Sequence, residues 1–450
     1  MNRYARTSLA LLVVLAVAGV ALGQTLTITG RMVAGGVNMH QVEWLQTYVI
    51  PEFEARHAGV TVELIEFGGS DEALKEQYAL DLSVGAGADV MSFDGFWVPE
   101  FAEAGLLKPL HEVGGPAALE WEGWSHISPG NQAKLSLDGE LYGVPLGTDY
   151  RMIHLRLDML EAAGIPDPAN WQPVSWEEVL EAARMVKAAF PESVPLQINA
   201  GTAMGEATTM QGFYMVLLGA GHSLQDDEGR WIVRSQGLLD TLGFYETIYI
   251  DEQLGDARVQ LLQDGRNRSF ANFRDGVTAM LVEGDWFYRG PTSPGQEFAV
   301  ANRDETMGWA MMPAKEPGAG FRGQDFVTIS GGTGSVLNPN SSHPELAWEL
   351  LAFMNSKEML DAYQTIQPRI HARDDVPVPD APFLTETSAA LSPYTTARPN
   401  EAVYPEVSYQ TQLMTERVVS GEMTPLQAME QYALAVIDLV GIENTVDLLE

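Results

Sequence analysis

The chain has 450 residues, of which 46% are hydrophobic, and its 61 acidic and 26 basic side chains give a formal net charge of −35. The length favours two domains, and the apolar fraction favours large cores and excludes a disordered chain. Nucleic acids and anionic membranes are bound through clusters of basic side chains, so the composition argues against both partners. The acidity favours solubility, as in a saline habitat, over cation binding.

The first 23 residues have the pattern of a cleavable secretory signal. Arg3 and Arg6 precede an uncharged apolar run at 9–22, and small residues at positions 21 and 23 fit a cleavage site. The run is too short to cross a hydrocarbon core of about 30 Å. Because the sequence has no cysteine, thiol chemistry and a lipid anchor on cysteine are excluded. We expect an exported, soluble protein.

Strand-like and helix-like segments alternate from residue 25. Their order is strand 26–30, helix 41–57, strand 60–65, helix 71–84 and strand 89–93, which predicts an α/β protein with a parallel sheet and flanking helices. Caps and amphipathic spacing predict further helices at 176–190, 208–218, 236–249, 275–280, 344–354 and 425–440.

Motifs for the common catalytic sites are missing. The sequence has no Gly-x-Ser-x-Gly elbow, no Walker loop and no histidine pair at metal-binding spacing. Gly318, Gly320 and Gly323 fit Gly-x-Gly-x-x-Gly, but a strand-like segment follows where a dinucleotide site needs a helix. We therefore expect no enzyme, no cofactor and no metal. A glycosidase needs only two suitably spaced carboxylates, so this alternative stays open in an acidic chain.

Short motifs along the whole chain after the signal resemble those of the family 1 extracellular solute-binding proteins, the sugar-capturing subunits of ABC importers. The motifs are GAGADVM at 85–91, DGFW at 94–97, AGLLKPL at 104–110, LYGVP at 141–145, RLDML at 156–160, AGI at 163–165, WEEV at 176–179, VTAM at 277–280, GDW at 284–286, HPELAW at 343–348 and GEMTPLQA at 421–428. Each is short, and their common order carries the resemblance.

The resemblance implies a type II periplasmic-binding-protein fold, in which two α/β lobes, each a mainly parallel sheet flanked by helices, hinge around a cleft. We expect the chain to cross between lobes near 145–149, 307–309 and 338–343. The expected lobes are 24–146 plus 309–340, and 147–308 plus 341–450.

The family pattern also implies ligand-binding residues. A sugar offers apolar faces to aromatic rings and hydroxyls to charged side chains. The candidates are Glu43, Asp94, Trp97, Asp149, Tyr150, Trp286, Gly331, Gly332 and Arg369.

Several of these candidates have a structural alternative. Asp94 could cap a helix, Trp97 could belong to the core, and Arg369 could form a structural ion pair. Thr333 follows the paired glycines where some sugar binders have an aromatic residue, which removes one stacking surface.

By this resemblance, the protein is a monomeric, non-catalytic receptor that closes over a mono- or oligosaccharide and delivers it to the permease subunits of an ABC importer. Export without a lipid anchor predicts the periplasm. Besides the glycosidase, a binder of polyamines, peptides or metal complexes stays open, with the acidity as support.

Overall fold

The structure is a computed structural model that describes residues 23–449. The predicted export signal lies outside these residues apart from Gly23. No helix among the residues described has the length and apolar content needed to cross a membrane.

The first sheet has five strands and follows the predicted β-α-β-α-β order. Its strands, in spatial order, are Val60–Glu66, Gln24–Gly30, Val90–Asp94, Thr333–Leu337 and Gly143–Pro145. The first three are parallel and the last two run antiparallel to their neighbours. Gly30, Glu66 and Asp94 therefore end their strands at the same edge of the sheet.

The second sheet has four strands. In spatial order they are Met307–Ala310, Arg151–Arg156, Thr278–Gly284 and Val194–Gln197. The helix predicted at 275–280 is wrong, because Thr278–Gly284 is a strand with every residue buried. A strand covered on both faces is mostly apolar on both, so its sequence lacks the alternation that distinguishes a strand from a buried helix.

Helices cover both sheets, and most lie where the sequence predicts them. The longer ones are Met39–Trp44 continued by Leu45–Val49 and Ile50–Arg56, Asp71–Ser83, Trp176–Ala189, Glu206–Thr208 continued by Thr209–Phe213 and Tyr214–Gly219, Gln236–Glu246 continued by Thr247–Asp251, Gly265–Arg274, Pro344–Met354, Lys357–Ile366, Pro382–Leu391, Tyr404–Val419 and Pro425–Val440. The Ser175 hydroxyl accepts a hydrogen bond from the Glu178 N–H, and Thr424 and Gln427 form a capping box.

The chain crosses between the sheets at two short segments. The first, 146–150, joins Gly143–Pro145 of the first sheet to Arg151–Arg156 of the second. The second spans 330–332 and not 307–309, because Met307–Ala310 is an edge strand of the second sheet.

A third crossing, expected between the lobes near 338–343, also differs from its predicted position. Helices Pro344–Met354 and Lys357–Ile366 bury their apolar faces in the same core as Leu26 and Ile28 of the first sheet. That core extends to Val376, so 344–376 does not lie in the second lobe. We propose lobes of 24–145 plus 333–376, and 151–329 plus 382–449.

Candidate ligand-binding cleft

Arg398 connects the facing edges of the two sheets. Its guanidinium donates to Asp94 Oδ1 at 2.8 Å and to Glu206 Oε1 at 3.1 Å. Asp94 ends a first-sheet strand, and Glu206 begins the helix that follows the second-sheet strand Val194–Gln197. The ligand-binding edges of the two open α/β sheets therefore meet here. We call these three residues the Arg398 bridge.

The Arg398 bridge is supported from both lobes. Phe96 of the first lobe lies 4.2 Å below the Arg398 guanidinium carbon, measured to the ring centroid. Tyr404 and Ser408 of the second lobe each donate a hydrogen bond of 2.6 Å to Glu206. Burial opposes the charge of Arg398, but Asp94 and Glu206 outweigh it and raise the Arg398 pKa. Asp94 is thus a bridging residue as well as the predicted helix cap.

Asp149 and Gly331, both predicted site residues, meet where the chain crosses between the lobes. Asp149 Oδ1 accepts from Arg151 Nη1 at 2.5 Å and from the Gly331 N–H at 2.8 Å. Burial would raise the pKa of Asp149, but Arg151 and the Gly331 N–H outweigh it and lower the pKa to about 2. A Cβ on Gly332 would lie 2.6 Å from the Gly147 carbonyl oxygen, so this crossing requires glycine.

Trp286 follows the second-sheet strand Thr278–Gly284 and is half-buried. The Arg266 guanidinium carbon lies 4.7 Å from the centroid of its ring. Glu283 fixes the position of Arg266. It is 0% exposed and accepts hydrogen bonds from Arg266 at 3.0 and 3.2 Å. Nothing in the spacing of Arg266 and Glu283 identifies this pair from the sequence.

Arg369 lies on the first-lobe side of the crossing strands. One of its nitrogens donates to the Tyr363 hydroxyl at 3.3 Å, and Trp44 stacks on Tyr363 with centroids 4.8 Å apart. The structural ion pair considered for Arg369 is not formed with any residue described between 23 and 449. Burial lowers the pKa of Arg369.

Three predicted candidates occupy other surroundings. Trp97 is 4% exposed and packs edge-on against Phe93 in the first-lobe core, so its core alternative is the one observed. The Tyr150 side chain is buried with Met152, and only its carbonyl reaches the site, where it accepts from the Asp285 N–H at 2.9 Å. Glu43 is exposed on the first helix.

We expect the free energy of unfolding to fall as the pH decreases from 6.5 to about 4. Burial lowers the pKa of His154 to about 4 from an ordinary value of 6.5. The unfolded chain therefore binds a proton in this range that the folded protein excludes, and stability present above pH 6.5 is lost towards pH 4. Burial lowers the pKa of His371 to about 3, with the same sign.

Urea unfolding across this pH range measures the effect. His154→Leu should make the pH dependence of the free energy of unfolding shallower by about one proton. Equal slopes for wild type and His154→Leu would show that His154 does not titrate as described.

Known proteins are similar to this chain in sequence and in fold. Residues 37–360 match the family described as bacterial extracellular solute-binding protein. A protein of Brucella abortus described as a binding protein is 26% identical over 315 residues, covering 68% of this chain and 67% of the relative.

Solved structures give the same result. An ABC transporter solute-binding protein of Thermotoga lettingae bound to alpha-D-tagatose has a TM-score of 0.77 and 25% identity over 93% of this chain and 100% of its own. Maltose-bound MalE3 of T. maritima has a TM-score of 0.75 and 21% identity over 92% of this chain and 100% of its own. These likenesses confirm the predicted type II periplasmic-binding-protein fold. With its family match covering most of its length, the chain belongs to the bacterial extracellular solute-binding proteins.

Proposed function

We propose that this solute-binding protein captures a carbohydrate and delivers it to the permease subunits of an ABC importer without changing it chemically. The observation that carries the proposal is the group of Asp149, Trp286 and Arg369 at the crossing strands and the facing sheet edges. An aromatic face with charged donors and acceptors suits a sugar ring and its hydroxyls. The tagatose and maltose complexes of the structural relatives support the same class of solute.

The pairing of the cleft carboxylates argues against a polyamine. Asp94, Asp149, Glu283 and Asp285 each form an ion pair with an arginine. Their charges are therefore neutralised locally, and a cationic solute would have to displace an arginine to reach them. The acidity of the chain as a whole is consistent with solubility.

Binding works through closure of the two lobes. A sugar that contacts both lobes stabilises the closed form by its higher affinity for that form. The Arg398 bridge joins the same two lobes and contributes to the closed form without ligand. The protein acts as a monomer in the periplasm, where the outer membrane keeps it near its permease.

Trp286→Ala should weaken sugar binding by about 10-fold or more, because an aromatic side chain buried against a ligand contributes about 1.5–3 kcal/mol. Isothermal titration calorimetry with mono-, di- and trisaccharides measures this, and chromatography of the recovered sugar tests whether it is unchanged. Trp171→Ala, at another half-buried tryptophan of the second lobe, is the control and should bind normally. An unchanged affinity in Trp286→Ala would remove this residue from the site, and release of hydrolysed sugar would contradict a pure receptor.

A further inference from the structure

Arg369 is the exception among the buried arginines of this acidic chain. When exposure is taken over the whole residue, four arginines of residues 23–449 are at least nine-tenths buried: Arg151, Arg156, Arg369 and Arg373. The other three each pair with an aspartate within 2.8 Å. Arg369, 7% exposed, has no carboxylate within 4.0 Å among the residues described, and its Nε has no hydrogen-bond partner.

An unpaired buried guanidinium is costly, since a buried charge without a partner destabilises a protein by several kcal/mol. The carboxylate of Asp285, whose charge acts on Arg369, does not pair with it. Asp285 directs one oxygen to Arg289 at 3.1 Å, and the charge of Arg289 adds to that of Arg369. The region around Arg369 therefore has an excess of positive charge in a protein whose net charge is −35.

Other polar atoms around this pair of arginines also lack partners. Asp285 Oδ2 is buried without a hydrogen bond, and so are both ring nitrogens of His40, which lies on the first-lobe side within reach of the Arg289 charge. Gly147 has no side chain to fill the space beside Arg369. A Cβ at this position would lie only 3.3 Å from Arg369 Nη2. Buried polar groups without partners are rare and require an explanation. One solute bound between the two lobes would satisfy several of them.

We infer that the solute is an acidic sugar, whose carboxylate pairs with Arg369 while its hydroxyls bond to Asp285 and His40. The inference rests on the proposed carbohydrate function and specifies the chemical class within it. A guanidinium and a carboxylate form two parallel, charge-assisted hydrogen bonds, which a hydroxyl cannot do. Arg369 then distinguishes uronic acids from neutral sugars.

The net negative charge of the protein does not prevent the binding of an anionic sugar. At physiological ionic strength charges are screened beyond about 8 Å, whereas a direct pair inside a closed cleft is screened much less. The remote carboxylates should slow the approach of an anionic sugar at low salt, and the local arginines should retain it once bound.

Calorimetry with matched sugars tests the inference: glucose against glucuronate, galactose against galacturonate, the corresponding disaccharides, and the methyl esters of the uronates. We expect at least one uronate to bind about 10-fold or more tightly than both its neutral counterpart and its methyl ester. Arg369→Gln should remove this preference by weakening the binding of the uronate about 10-fold more than the binding of its neutral counterpart. Arg184→Gln also removes one positive charge, but on the second-lobe surface where Arg184 pairs with Glu252, and should keep the preference.

A second readout does not depend on the sugar. Because it removes an unpaired buried charge, Arg369→Met should unfold at the same temperature as the ligand-free wild type or above it. Binding of neutral sugars without uronates, or equal losses for both classes in Arg369→Gln, would overturn the inference and leave the carbohydrate function standing. If neither class binds, the proposed function itself fails. A fall in the unfolding temperature of Arg369→Met by several degrees would show that Arg369 is already satisfied within the protein.

Discussion

Arg266→Met is expected to lower the free energy of unfolding by about 3–5 kcal/mol, the range for a buried carboxylate left without its cation. Glu283 is fully buried in a central strand and holds Arg266 through two hydrogen bonds. Its other partners, the Asn199 amide at 3.2 Å and the Gly284 N–H at 3.4 Å, carry no charge. Sugar affinity should fall as well, because Arg266 lies over the Trp286 ring.

A double-mutant cycle separates the pair from the packing around it. In Arg266→Met/Glu283→Gln a neutral amide replaces the carboxylate that lost its cation. We therefore expect the double variant to recover most of the stability lost in Arg266→Met. Urea unfolding of the four proteins measures the cycle. If the double variant is as unstable as Arg266→Met, the loss comes from packing and the ion pair is unimportant.

Arg398→Met is expected to shift the ligand-free protein towards an open form and to cost about 3 kcal/mol of unfolding free energy. The Arg398 side chain is 9% exposed and is the cation shared by Asp94 and Glu206. Without it, two carboxylates from opposite lobes face each other and favour separation of the lobes. The larger spacing should appear as an increased radius of gyration in small-angle X-ray scattering.

Arg322→Met is the matched control for Arg398→Met. Arg322 is exposed and donates to the carbonyl of Thr395, close to Arg398 in sequence, so its loss should cost less than about 1 kcal/mol. If Arg398→Met has the stability and the radius of gyration of the wild type, the bridge contributes nothing to closure.

Local signals in the sequence predict most of the fold. Pro344–Met354 and Pro425–Val440 begin and end at the predicted residues, because proline fixes each start and the apolar stripe fixes the buried face. Thr424 also caps the start of Pro425–Val440. The same reasoning fails for Thr278–Gly284. This strand is buried on both faces, so its sequence lacks the alternation of apolar and polar residues that marks a half-exposed strand. The lobe to which 344–376 belongs depends on long-range packing, which no local pattern encodes.

The site is predictable only in part, for a related reason. Asp149 and Gly331 follow from the family motifs, and the structure brings them to 2.8 Å of each other. Arg398 and Asp94 are 304 residues apart, and with 61 acidic residues no spacing singles out the partner of a given arginine. Burial of Trp97 likewise depends on which side of its helix faces Phe93.

The crystal structure of the protein with a bound sugar tests the central claim most directly. We predict one sugar between the facing edges of the two sheets, in contact with Asp149, Trp286 and Arg369, its covalent bonds intact. A sugar bound elsewhere on the surface, or a peptide or metal complex occupying the cleft of the protein purified from its host, would contradict it.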